Sequence, residues 1–195
     1  MITTPHSKRR VFAAVTAAAA FAALAAFVPS AGATTASATL TAGSLGFVGS
    51  VPNVAFPSTA LTGVNQSVTA PQAIDVGDAT GSGAGWNITA TSTQFSGTGG
   101  ITLPTTAVTI ASAPASPTCD ASSTCTPATA AVGVTYPYSL PSGSTAPTAT
   151  KMYSASAGTG LGNQTLTPTW TLAIPSSAKA GSYSSTWTLS IVSGP

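Results

Sequence analysis

Beyond residue 33, the side chains that carry charge at neutral pH are Asp75, Asp78, Asp120, Lys151 and Lys179, and the thiols are Cys119 and Cys125. The lone histidine, His6, lies before them, and the sequence has no Glu. A Ser-His-Asp or Cys-His arrangement is therefore out of reach of this region. A two-carboxylate glycosidase site would have to be made from the three aspartates. A Ser-Lys dyad would need Lys151 or Lys179 buried and activated, and Lys179 sits in an apparent turn. Asp75 and Asp78, in "AIDVGDATG", stand where a strand enters a Gly-rich turn, so their short carboxylates read as turn caps. A calcium loop needs more oxygen ligands than this. "GDATGSGAGW" is Gly-rich after a strand but lacks the lysine and the helix of a phosphate loop, so it reads as a β-turn. The sequence implies no catalytic residue, no metal site and no cofactor.

The first 33 residues read as a cleaved helical signal peptide. "MITTPHSKRR" is a basic start, "VFAAVTAAAAFAALAAFV" an apolar run, and "PSAGA" supplies the small residues of a cleavage site. Cleavage is expected after Ala33, with Ala36-Ser37-Ala38 as the second choice. An uncleaved anchor fits less well, because the run is mostly Ala and ends in that cleavage pattern. Arg9-Arg10 loosely fits a twin-arginine signal, but plain secretory export is preferred. The formal charge of +2 belongs to this leader. Residues 34–195 hold two lysines against three aspartates, a net charge of −1. Two lysines do not make the basic stripe that nucleic acid or an anionic membrane requires, and no membrane span is expected in the mature chain.

In an exported chain the default state of Cys119 and Cys125 is a disulfide. It would close the polar loop "CDASSTC", which has no hydrophobic reason to order itself. Three Asn-x-Ser/Thr triplets, at Asn65, Asn87 and Asn163, are chance matches in a chain this rich in Ser and Thr.

The elements that must position any site are strands. Thr, Val, Ile, Tyr and Trp recur in short runs between Gly, Pro and Ser. Strands are expected in "ATLTA" from Ala38, in "SVTAPQAIDVGD" from Ser67 with a break at Pro71, and in "GWNITATS" from Gly85. Others are expected in "ITL" from Ile101, "AVTIAS" from Ala107, "AVGVTYPYSL" from Ala131, "TKMYSA" from Thr150, "LTPTWTLAI" from Leu166 and "YSSTWTLSIV" from Tyr183. The spacing predicts one all-β domain over residues 34–195, a single antiparallel β-sandwich of the Ig-like or Greek-key type.

The last two runs repeat the phrase Thr-Trp-Thr-Leu. In the first, Leu166, Pro168, Trp170, Leu172 and Ile174 share a face opposite Thr165, Thr167, Thr169, Thr171 and Ala173. In the second, Tyr183, Trp187, Leu189 and Ile191 oppose Ser184, Thr186, Thr188 and Ser190. Period two sends both tryptophans inward with the aliphatic residues. A simple hairpin closing at Ile174 and Tyr183 would pair Trp170 with Trp187. If the connector "PSSAKAGS" crosses between sheets, both rings still point into one core.

"AIDVGDATGSGAGWNITATSTQF", followed much later by "AIPSSAKAGSYSSTWTLSIVSGP", resembles the WxL domain of Gram-positive surface proteins, in the style of actinobacterial members. That family joins a proximal Gly-Trp-x-Leu, preceded by an Asp and a Gly-rich turn, to a distal Trp-x-Leu near the C-terminus. Trp86-Asn87-Ile88 is similar to the proximal motif, with Ile88 for Leu. Trp187-Thr188-Leu189 is similar to the distal one, with Tyr183 and Pro195 as its flanks. Aligned on Ala180-Gly181-Ser182-Tyr183, the family's distal Trp falls on Leu189, a shift of two that keeps the face. Trp170-Thr171-Leu172 is then an extra copy. The resemblance covers the chain from Ser67 onward. It implies a secreted, extracellular protein held non-covalently to the cell wall, with peptidoglycan as ligand. The candidate wall-binding residues it marks are Trp86, Ile88, Trp170, Leu172, Tyr183, Trp187 and Leu189, and the partners are cell-wall glycan or other surface proteins. No covalent sorting motif with an apolar tail is expected after the domain. A soluble carbohydrate-binding module and a structural subunit that packs through strand edges are the competing readings, and an enzyme is the last.

Overall fold

The computed structural model describes residues 32–195. The leader expected over residues 1–33 lies outside the described residues except for its last two. Residues 40–195 form one compact unit. Residues 32–44 carry no strand and are exposed throughout.

All regular structure in the described residues is β. In chain order the longer strands are β2 (Gln66–Pro71), β3 (Ile74–Asp78), β4 (Trp86–Thr93), β11 (Thr150–Ala155), β12 (Gly162–Leu166), β13 (Thr169–Ile174) and β15 (Trp187–Ser193). Shorter ones fill the gaps. They are β1 (Leu45–Phe47), β5 (Ser96–Gly97), β6 (Ile101–Thr102), β7 (Val108–Ile110), β8 (Thr118–Cys119), β9 (Tyr138–Ser139), β10 (Ser142–Gly143) and β14 (Tyr183–Ser184). Pairing is antiparallel except for the short β10–β4 contact. The fold is the expected all-β antiparallel sandwich.

Two prolines organise the turn from one sheet to the next. β2 and β3 are one extended run broken after Pro71, and β12 and β13 are another broken at Pro168. A proline cannot donate to a ladder, so both strands leave their sheet at the same corner. β3 pairs β12 in a sheet ordered β1-β3-β12-β8, while β2 pairs β13 in a sheet ordered β2-β13-β7-β9. Gln72 N donates to Pro168 O at 3.0 Å and ties the two bends together.

β4 is the central strand, flanked by β11 on one side and β15 on the other. Its register with β15 runs from Trp187 opposite Ser92 to Ser193 opposite Trp86. Both its faces are covered, so Trp86, Asn87 and Ile88 are all buried. The core gathers Trp86, Ile88, Met152, Tyr153, Leu166 and Trp170 into one cluster with Ile74, Val76 and Ile110.

Four expectations change, the first being that "YSSTWTLSIV" splits into β14, which pairs β5, and β15, which pairs β4. "ATLTA" from Ala38 is exposed chain with no strand pairing among the described residues. "AVGVTYPYSL" keeps only Tyr138–Ser139 as a strand. Gly133 takes φ +114° and Pro137 removes a donor, so the segment turns instead, and Tyr136 and Tyr138 send their hydroxyls to β11. The strand Gly162–Leu166 reaches ahead of the run expected from Leu166. It pairs β3 on one side and β8 on the other.

The hairpin pairing of Trp170 with Trp187 does not form. β13 and β15 lie in different sheets, and the connector, residues 175–182, crosses between them. The crossing alternative is the one realised.

Candidate functional site

Two of the motif tryptophans, Trp86 and Trp170, are each placed by a single acceptor. Trp86 Nε1 donates to Gly160 O at 3.0 Å. Gly160 has φ +83°, and a Cβ there would run into the Trp86 indole, so this contact requires glycine. Trp170 Nε1 donates to Gln72 Oε1 at 2.8 Å. A buried indole N–H without an acceptor is costly, and Gln72, itself buried in the proline corner, removes that cost. Gln72 also donates from Nε2 to Pro52 O at 2.8 Å. The amide thus connects the core ring to an irregular strap, residues 49–61, that lies over the sandwich.

Trp86, Ile88 and Trp170 have no exposed surface, and Leu172 is 7% exposed. Their side chains pack against the core. Asn87, between the two proximal motif residues, donates from Nδ2 to Gly194 O at 2.8 Å, which ties the end of the chain to β4. Tyr183, Trp187 and Leu189 are half-buried and reach the surface. The structure therefore separates the seven motif residues into an inner group of four and an outer group of three.

The outer group borders two clefts beside the strap. One, of about 580 Å³, is walled by residues 51–54 of the strap and by Trp187, Thr188 and Leu189, with Gln72 and Phe95 inside. The other, of about 620 Å³, lies between the strap and residues 178–183, with Leu172 and Ile174 beneath. Phe95 and Tyr183 line both. Tyr183 and Lys179 also line a third cleft of about 410 Å³ with Ile101 and Pro104. Tyr183 donates its hydroxyl to Lys179 O at 2.7 Å, which fixes the ring over the turn that carries the lysine. An aromatic row runs inward from this surface. Phe56 meets Phe95 at 6.2 Å, Phe95 meets Trp187 at 6.5 Å, and Trp187 meets Trp170 at 4.8 Å, all edge to face.

Of the remaining polar groups, Asp75 and Asp120 come together at Thr165, and Asp78 caps its own turn. Asp78 Oδ1 accepts from Thr80 N and Thr80 Oγ1, the turn cap expected from its position. Asp75 and Asp120 both contact the Thr165 hydroxyl, at 2.7 and 2.8 Å. No group of three or more metal-ligating side chains occurs among the described residues. Lys151 Nζ donates to Pro195 O. Cys119 and Cys125 form the expected disulfide. No helix among the described residues is long and apolar enough to cross a membrane.

Burial pushes the Tyr136 and Tyr153 phenols up to about 12, with neighbouring tyrosines adding to the shift at Tyr136. Tyr138 is raised for the same first reason, against a hydrogen bond from Thr150 that lowers it. These groups are neutral over the physiological range and do not act as acids there.

The profile of one family, described as WxL domain surface cell wall-binding, matches residues 34–194. The chain is a WxL domain protein. No curated protein and no solved structure gives a match. The family match begins well before Ser67, so the strap and the exposed segment ahead of β1 are part of the WxL region. The WxL domain places this protein at the cell surface, associated with the wall. Gln72 and Gly160, which hold the two innermost tryptophans, and the strap itself carry no signal that sequence reading detected. Gln72 is a single polar residue beside a proline, and its role comes from contacts nearly a hundred residues away.

Proposed function

We propose that this WxL domain binds the wall non-covalently, without catalysis, by seating peptidoglycan on Tyr183 and Lys179. The observation that carries this reading is that these two residues together line the clefts on both sides of their turn. Peptidoglycan offers sugar rings, whose apolar faces pack on an aromatic side chain, and peptide carboxylates, which an ammonium attracts. A half-buried tyrosine locked beside a lysine supplies both in one place. An exposed charge contact contributes only about 0–1 kcal/mol, so firm retention comes from many such contacts along a repeating polymer.

The test is a pull-down of the exported protein on purified walls, with and without the attached glycopolymers. Lys179→Glu should abolish retention on both wall preparations while leaving the melting temperature within a degree or so of the parent, since its side chain is at the surface. Retention that survives Lys179→Glu, or that vanishes when only the glycopolymers are stripped, would count against peptidoglycan at this site.

A further inference from the structure

Strand β15 has an open edge. Thr93 N donates to Thr186 O, and Gly194 N donates to Gly85 O. With the register of β15 on β4, these bonds mean that the even-numbered residues turn their N–H and C=O toward β4. Trp187, Leu189, Ile191 and Ser193 turn theirs the other way. No backbone hydrogen bond reaches that side among the described residues, although β1 runs nearby. At Trp187 and Leu189 the edge opens into the groove of about 580 Å³, whose far wall is the strap. The half-buried Trp187 and Leu189 thus border the groove at the same stretch where their main-chain groups are left unpaired.

Edge strands are usually blunted by charge, proline or a bulge. β15 has none of these: it reads Trp-Thr-Leu-Ser-Ile-Val-Ser. An uncharged seven-residue edge of high β-propensity is a template for another strand.

The chain also carries a strand-like segment that pairs with no strand among the described residues. Residues 35–42 read Thr-Ala-Ser-Ala-Thr-Leu-Thr-Ala, in strict alternation of hydroxyl and apolar side chains. They are exposed, and Leu40 is 91% exposed. The same alternation occurs on β15, where Trp187, Leu189 and Ile191 oppose Thr188 and Ser190. Laid beside β15, the segment would continue both faces of the sheet, apolar beside apolar and hydroxyl beside hydroxyl. Neither strand carries a charge to oppose the pairing.

We propose that residues 35–42 of one copy add as a strand to the β15 edge of a second copy, in the groove between β15 and the strap. The arrangement is heterologous: arm and groove are different surfaces, so each copy can give one arm and receive another, and copies chain together. The groove shares Tyr183 with the wall site but is not lined by Lys179, so the Lys179→Glu variant should still assemble.

The test uses the exported protein. Its weight-average mass in light scattering should rise with concentration above that of one chain. The double substitution Ala38→Pro with Leu40→Asp should return it to a monomer with an unchanged circular dichroism spectrum, because the arm makes no contacts that the fold needs. Its wall retention per chain should persist, which separates this proposal from the wall reading. A Thr39→Cys protein mixed with Thr186→Cys, Thr188→Cys or Ser190→Cys protein should form an intermolecular disulfide with at least one of the three, and none with a Thr167→Cys control. A wild-type protein that stays monomeric up to about 1 mM overturns the proposal. So does a double variant that assembles like the parent. A cross-link confined to single chains carrying both cysteines would show the arm on its own β15 and would equally overturn it.

Discussion

Trp170 and Trp187 meet edge to face, 4.8 Å between ring centres and 70° between planes, although their strands belong to different sheets. Trp170 is the inner member and has no exposed surface, while Trp187 is half-buried at the rim. The pair joins the β13 sheet to the β4–β15 sheet. It also closes the inner end of the aromatic row that starts at Phe56.

Truncating the inner rings should damage the fold first. Trp86→Ala and Trp170→Ala each leave a large cavity and a partner without its donor, at a cost of about 3–5 kcal/mol. Urea unfolding of the purified proteins measures this. Trp187→Phe retains most of the apolar volume and should cost less than either. A Trp86→Ala variant within 1 kcal/mol or so of the parent would contradict the packing described above.

Gln72→Leu should separate the strap from the core. It removes the acceptor of Trp170 Nε1 and the donor to Pro52 O together. The stranded indole N–H costs about 1–3 kcal/mol. Amide hydrogen exchange should show faster exchange in residues 49–61, the segment that loses its side-chain tie. Unchanged exchange there would mean that apolar contacts of Val54 and Phe56 alone hold the strap.

Opening the disulfide should have a modest effect. Replacing Cys119 and Cys125 by Ser frees a short loop, for which the chain-entropy cost is on the order of 2 kcal/mol. The neighbouring bonds of Asp120 N to Asn163 O and Thr126 N to Leu161 O keep the loop on β12. The variant should fold, with a lower midpoint in urea. Failure to fold at all would show that the loop contributes more than its closure.

Alkali should destabilise the domain through its buried phenols. The folded values of Tyr136 and Tyr153 are about 12, above the ordinary 10. The unfolded chain therefore releases these protons first, and stability falls as pH rises above about 10 toward the folded values. Below that range the contribution is fully present. Unfolding midpoints across this range, followed beside tyrosinate absorbance, test the sign. Tyr136→Phe should flatten part of the dependence at the cost of the hydrogen bond to Met152 O.

The sequence alone determined the class of the fold, the faces of its clearest strands and the disulfide. Period-two alternation is a local property, and it placed Trp170 and Leu172 inward, with Thr169 and Ala173 outward, before any partner was known. Export and the absence of other thiols left Cys119 and Cys125 to each other. Tertiary structure decided which strands are neighbours and which expected strand stays unpaired. Residues 38–42 alternate as well as any other run, but a strand needs a partner, and none pairs with them among the described residues. Gly162–Leu166, of which only Leu166 was in an expected strand, becomes a strand because β3 and β8 flank it and Gln164 Oε1 accepts from Ala128 N inside the core. Gln72 and Gly160 were invisible for the same reason. Their function is to accept an indole N–H from a ring 98 or 74 residues away, and no local pattern encodes a hydrogen bond over that distance.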